Sequence, residues 1–272
     1  MTHHSKLVAV AVPMSNRSQL TADEEISFRH LRHFLGRYDK YLVVPKTLNL
    51  DFPDFGKKAF DDRFFGSVEA YRRLVFSPRF YEAFRDYKYT LIYHPDALVF
   101  SDQLESWCDA DFDYIGAPWV VHKDAPYAGQ RAHEGKVGNG GFALIKIESF
   151  LKVFYSPVYQ VEPSQYWRLV HGQKPMFERL WHLPKRFLKQ FRVFNGAQWE
   201  LGRYGSNDDT FWANRATHYY PQFKIAPVQT ALRFAFECVP RYCFELNNGA
   251  LPFGCHAWAR YDREFWEPYL LK

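Results

Sequence analysis

Four short stretches hold the residue types from which an active site could be built. Asp96 stands in YTLIYHPDALVF, just beyond an apolar run. A carboxylate there can hold a divalent cation that neutralises a diphosphate, or it can simply close a turn beside Pro95. Asp208 and Asp209 are adjacent in RYGSNDDTFW. Neighbouring like charges are costly to bury, so such a pair caps a helix, faces solvent, or meets a cation or ligand. One of the two could accept a proton from an incoming nucleophile, while Asn207 or Asp208 could cap a helix starting near Thr210. In KVGNGGFALI, Gly138, Asn139, Gly140 and Gly141 lead into an apolar stretch. Their backbone can approach a ligand and present N–H groups to its oxygens, or can form a plain tight bend. The run fits neither GxGxxG nor the phosphate loop that ends in GK[ST]. In LPFGCHAWARY, His256 offers a metal nitrogen or a structural hydrogen bond. Glu237, in RFAFECV, is a carboxylate among aromatics whose partner the sequence does not single out.

The elements that must position these residues alternate. Leu7 to Val12 reads as a strand, and Thr21 with Glu24 has capping-box spacing for a helix reaching Leu35. Tyr41 to Val44 is a second short strand before Pro45. Strand, helix, strand begins an α/β unit. The phenylalanine-rich DFPDFGKKAFDDRFFGS reads as a polar connection, followed by a helix from Val68 to Val75 and, past Ser77 and Pro78, a helical piece to Phe84. Tyr89 to Tyr93 is a central-strand candidate that ends at His94-Pro95-Asp96, where open α/β sheets collect ligand-binding groups. Further strands fall at Tyr114 to Gly116 and Phe142 to Ile147, with a helix from Glu148 to Val153. After Pro184, a helical projection puts Lys185, Arg186, Lys189 and Arg192 on one side and Phe187, Leu188 and Phe191 on the other. Such a segment can pack on the body with a solvated basic face, the favoured reading, or lie on an anionic membrane.

The bulk numbers set limits. A chain of 272 residues buries enough surface to need no disulfide staple, and its aromatic content of 19% suits a bulky core and an aromatic cleft. Cys108, Cys238, Cys243 and Cys255 have no zinc spacing, and a reducing cytosol is their simplest setting. No apolar run reaches membrane-spanning length. The net charge of +5 serves solubility and comes with no nucleic-acid motif, so no nucleic-acid partner is expected. One domain over residues 1–272 is expected, with no repeat and no linker.

Together YTLIYHPDALVF, DFDYIGAPW, VGNGGFALIKIESFL, NDDTFW and LPFGCHAW resemble the bacterial DUF5672 family, itself similar to nucleotide-sugar glycosyltransferases of the GT-A type. The resemblance implies a GT-A-like α/β domain with a central mixed, mostly parallel sheet flanked by helices. Residues 1–130 would be its nucleotide-binding half and residues 131–272 its acceptor side. It implies transfer of a sugar from a nucleotide-diphosphate donor to a glycan or lipid-linked glycan. Asp96 would take the metal and diphosphate position, although the Asp-x-Asp pattern is absent because His94 and Pro95 precede it. That departure leaves dependence on Mn2+ or Mg2+ open. The nucleotide would bind across the N-terminal half, at Pro13 to Arg17 following the first strand, and Gly138, Asn139, Gly140 and Gly141 would border the donor sugar and acceptor. Asp209, or else Asp208, would be the general base, and His256 a late metal or diphosphate ligand. No residue stands out as a covalent nucleophile, which favours inversion. The segment from Trp181 to Val193 would suit a lipid-carried acceptor, and hence a cytoplasmic protein with peripheral contact at the inner membrane. A binding protein of the same fold without catalysis, and a metal-dependent hydrolase of activated sugars, are the rivals.

Overall fold

The structure, a computed structural model, describes residues 6–48, 52–205 and 208–271, without the side chain at position 208. Six strands form the main sheet: β1 (Lys6–Pro13), β2 (Asp39–Pro45), β3 (Gly56–Phe60), β4 (Tyr87–Tyr93), β6 (Tyr114–Gly116) and β9 (Phe142–Lys146). Their spatial order is β3-β2-β1-β4-β9-β6. The pairs β1–β2, β2–β3 and β1–β4 are parallel, whereas β9 runs antiparallel to both β4 and β6. The fold is therefore a mixed, mostly parallel α/β sheet flanked by helices. A smaller sheet joins β5 (Leu98–Val99), β10 (Ala235–Phe236) and β11 (Gly254–Cys255), and β7 (Pro118–Trp119) pairs with β8 (Lys136–Val137).

β1 is apolar throughout its centre because both of its faces are covered. Val8, Val10 and Val12 point to one core with Phe28, Leu31 and Leu35 of α1 (Ala22–Leu35). Ala9 and Ala11 point to the other, which contains Phe80 of α3 (Pro78–Glu82), Phe150 of α5 (Ile147–Phe154) and Trp212 of α10 (Asp208–Tyr219). The Thr21–Glu24 capping box forms at α1, and α2 spans Val68–Val75 as its pattern predicts. β3 differs from expectation, since GKKAF reads as a connection. It is an edge strand, and its Lys57 and Lys58 are the charges that discourage pairing with another chain.

The basic segment also departs from the favoured reading. The chain leaves the body as α6 (Pro163–His171), α7 (Met176–Trp181) and α8 (Leu183–Gln190), after α4 (Leu104–Asp109) and α5 earlier in the chain. Neither α7 nor α8 has a buried residue, so the apolar side of α8 is as open as its basic side. The chain returns through α9 (Ala197–Leu201) and ends with α11 (Val228–Phe234), α12 (Pro240–Leu246) and α13 (Arg263–Trp266).

Candidate functional site

Strand register brings distant residues to one point. Tyr93 of β4 lies opposite Phe142 of β9, and one step further the His94 N–H donates to the Gly141 carbonyl at 2.8 Å. Phe236 of β10 pairs with Cys255 of β11, which sets Glu237 beside His256. Cys255 also faces Leu98 of β5, which brings His256 back to the turn carrying Asp96. Three loops and two sheets thus converge on His94, Asp96, Glu237 and His256.

His256 lies between two carboxylates. Its Nε2 is 3.3 Å from Asp96 Oδ1 and its Nδ1 is 2.9 Å from Glu237 Oε1. The His256 side chain is 17% exposed and that of Asp96 50%, so the cluster opens to solvent on the Asp96 side. Burial works against the imidazolium, but the hydrogen bonds and negative charges of Asp96 and Glu237 outweigh it and raise the ring to about 10. Burial likewise opposes the Asp96 carboxylate, and His256 overcomes it, bringing the carboxyl down to about 2. His94 packs edge-on to His256 at 5.2 Å between centroids. Desolvation, helped by the neighbouring His256 charge, lowers His94 to about 4, so it is a neutral imidazole at physiological pH.

Gly141 makes this packing feasible. A Cβ there would stand 2.1 Å from His256 Nε2. Gly138 is likewise required by Trp119, whose ring would be 2.4 Å from an added Cβ. The backbone of this loop is committed internally. The Gly138 N–H donates to the Ala117 carbonyl, that of Asn139 to the Tyr114 hydroxyl, and that of Gly141 to Asn139 Oδ1 at 2.8 Å. At those three positions the N–H groups expected to face a ligand are held inside, and the glycines instead make room for side chains. Gly140 is partly exposed. Asn139 is buried, and its Nδ2 has no hydrogen-bond partner among the described residues.

The donor set fits a divalent cation. One ligand atom each from His94, Asp96 and His256 lie within 4.8 Å of one another. His94 Nε2 is buried without a hydrogen-bond partner among the described residues. Glu237 holds the far nitrogen of His256, as outer carboxylates do for metal-binding histidines. Two imidazoles and one carboxylate suit Mn2+ better than Mg2+, which prefers all-oxygen surroundings.

Beside Asp96 lies a cavity of about 450 Å³. Pro13, Met14, Ser15 and Asn16 line it after β1, His94 to Asp96 after β4, and Phe65 to Val68 with Tyr71 from the start of α2. The chain passes from β1 outward to β2 and β3, then crosses back to place β4 on the other side of β1. The cavity therefore sits beyond the carboxyl ends of β1 and β4, where strand order reverses and open α/β sheets bind ligands. Arg17 lies next to it, held by Glu24 Oε1 at 2.7 Å and by Ser15 Oγ at 3.1 Å. A larger cavity of about 540 Å³ lies at α12, lined by His122, Tyr242, Arg260 and Tyr261 among others. No metal-ligating group of three was found there among the described residues.

Asp209 stands in the first turn of α10, and its Oδ1 accepts the N–H of the next residue, Thr210, at 2.8 Å. Lys136 donates to Asn214, and Thr210 Oγ1 meets His133 Nε2 at 3.2 Å, so α10 is tied to the loop and strand that run into Gly138. Asp208 opens the helix, and its side chain lies outside the described residues, as does Asn207. Sequence reasoning set Glu237 aside and met His94 only as a departure from Asp-x-Asp. The pairing of β10 with β11 and of β4 with β9 is what recruits them.

A family described as a protein of unknown function (DUF5672) matches residues 54–256, a stretch holding His94, Asp96, Glu237 and His256 but not Pro13 or Arg17. No curated protein matches the sequence. Among solved structures, the galactosyltransferase LgtC in complex with donor and acceptor sugar analogues is similar at 11% identity and a TM-score of 0.47, over 96% of this chain and 94% of that one. The apo-form glycosyltransferase GlyE of Streptococcus pneumoniae is similar at 15% identity and a TM-score of 0.38, over 97% of this chain and 60% of that one. A glycosyltransferase involved in glycosylation of the major capsid of PBCV-1 is similar at 9% identity and a TM-score of 0.43, covering 97% and 98%.

Proposed function

The chain belongs to the DUF5672 family, and from that premise we propose that it is a glycosyltransferase, moving a sugar from a nucleotide-diphosphate donor to a hydroxyl of a free or lipid-carried glycan. One observation carries this reading: a cation-competent cluster, His94, Asp96 and His256, borders a cavity at the switch point of a mostly parallel sheet. The motif resemblance to GT-A enzymes supplies the reaction class.

In this reading the nucleoside lies along Pro13 to Asn16, and Arg17 turns from Glu24 toward the diphosphate. His94, Asp96 and His256 hold Mn2+, which when bound offsets the negative charge of the leaving diphosphate. Glu237 keeps the His256 ring oriented. Gly138 to Gly141 border the donor sugar, with Gly141 admitting His256 and the Asn139 amide donating to a sugar oxygen. The bond from the anomeric carbon to the diphosphate oxygen breaks as the bond to the acceptor oxygen forms. Asp209, or Asp208 beside it, takes the acceptor's proton. The four buried, unpaired thiols suit a reducing cytoplasm.

A second reading is a binding protein of this fold without transfer, favoured by the engagement of Asp209 with the Thr210 N–H. Calorimetric titration with UDP, GDP, CDP and dTDP, each with and without Mn2+, tests the first step on the wild type and on folded Asp96→Asn. The expected result is tight binding of one nucleotide with metal, weakened roughly 10–100-fold in the variant. Acceptor-dependent product from the matching nucleotide sugar then marks a transferase. Sugar release into water alone would mean a hydrolase, and no product at all the binding protein. Failure of every nucleotide to bind the wild type would overturn the proposal.

A further inference from the structure

Residues 162–194 leave the body and return to it at a clasp, near which Tyr159 Oη also donates to the Gln190 carbonyl at 2.8 Å. Buried Asn195 forms that clasp: its carbonyl accepts from Gln160 N–H at 2.9 Å, its Oδ1 from Val161 N–H at 3.1 Å, and its Nδ2 donates to Val161 O at 2.9 Å. Within the excursion, Arg186 lies over the Trp167 ring and Lys189 over the Tyr166 ring, so α8 is held against α6. Trp167 and His171 are buried. The outer side is different. Of the seventeen exposed large apolar side chains among the described residues, twelve fall between Leu169 and Phe194. Trp181 is 82% exposed, Met176 77% and Phe177 71%. A monomer in water does not ordinarily gather so much apolar surface in one place.

The charge is gathered there too. Residues 168–194 contain seven lysines or arginines and one glutamate, a surplus of six positive charges in a chain whose total is +5. The rest of the molecule is therefore close to neutral, at −1. We propose that the outer face of α7 and α8 is a docking surface for an anionic lipid bilayer, with Phe177, Trp181, Phe187 and Phe191 entering the headgroup boundary and the flanking lysines and arginines meeting lipid phosphates. Aromatic anchors beside basic side chains on short amphipathic helices are the pattern of interfacial attachment. No helix among the described residues is long and apolar enough to cross a membrane. A second copy of this chain is a poor occupant, because a two-fold contact would set this positive patch against itself.

The experiment is flotation of the whole protein with vesicles of phosphatidylcholine alone or containing phosphatidylglycerol, at low and high salt. The wild type is expected to float with the anionic vesicles and to be released as salt rises. The triple variant Phe177→Ser, Trp181→Ser, Phe187→Ser and the double variant Arg179→Glu, Lys185→Glu each change exposed side chains. With an unchanged thermal transition, each is expected to bind roughly tenfold more weakly or worse. Absence of the wild type from the floated fraction overturns the proposal, as does unaltered flotation of the aromatic variant. A dimer lost in the aromatic variant, without flotation of the wild type, would assign the face to a second copy instead.

Discussion

At the scale of single residues, the site depends on space as much as on charge. Gly141→Ala would drive a methyl group into the His256 ring, with about 1–3 kcal/mol of strain expected in so tightly packed a place. The expected outcome is a lower melting temperature together with loss of nucleotide and metal binding. Gly205→Ala, where an added Cβ meets nothing within 4 Å, should leave both unchanged. Calorimetry and thermal melts of the two variants give the comparison. A second prediction concerns Glu237→Gln, which keeps the side-chain shape while removing a charge from beside His256. Outer carboxylates of this kind contribute about 10–100-fold to metal affinity, so Mn2+ should bind more weakly with little change in unfolding. Asp96 and His256 could be singled out in the sequence because each sits in a turn-rich context after an apolar run. Glu237 could not, because nothing near it in RFAFECV betrays a histidine nineteen residues away. The glycines of VGNGG were legible as a close approach, but not as an approach by a ring of the protein itself.

At the scale of elements, the sequence pattern serves well where a helix or strand packs against the body. α1 and α2 show this, as do β1, β4 and β6. It fails for β3, an edge strand whose Lys57 is exposed while Lys58 lies over the Tyr41 and Phe84 rings, and for α8, whose amphipathic pattern implies a partner that the body does not provide. One contact between elements has a measurable pH signature. Buried His30 of α1 bonds through Nδ1 to the Val99 carbonyl of β5 at 2.9 Å, while its Nε2 accepts the Leu271 N–H at 2.9 Å. Nε2 can accept only in the neutral ring, and burial lowers the histidine below its ordinary value. Below that ordinary value the unfolded chain holds a proton that the folded chain refuses. The stabilisation is therefore complete above about pH 6.5 and is lost as pH falls through the lowered folded value. Urea midpoints should decline on acidification through this window, and the decline should be shallower in His30→Gln. At neutral pH that variant should cost about 1–3 kcal/mol, as expected for a disturbed buried hydrogen-bond pair.

At the scale of the whole molecule, we propose that residues 1–272 form one domain, with the nucleotide side in residues 1–130 and the acceptor side in residues 131–272. The two cores share the strands of one sheet, as Val8 and Ala9 of β1 point into different ones, so neither core survives loss of the other. The excursion closed by Asn195 should behave separately. Hydrogen exchange is expected to be fast through residues 163–190 and slow through β1 and β4. Replacing residues 163–193 by a short flexible linker should leave the main thermal transition in place. Melting of the whole protein in that variant would show that the excursion is part of the domain. The mostly parallel architecture could be read from alternating strands and helices, whereas the reversal of β9 could not, because strand direction leaves no mark on a short apolar run. The convergence of β4, β9, β10 and β11 also orders events in time. During synthesis, the backbone bearing His94 and Asp96 emerges long before Glu237 and His256, and only then can both carboxylates close on the imidazole. A nascent chain halted before β11 can assemble much of the large sheet yet should capture no nucleotide, so capture by ribosome-bound chains of graded length would report when the last part of the fold docks.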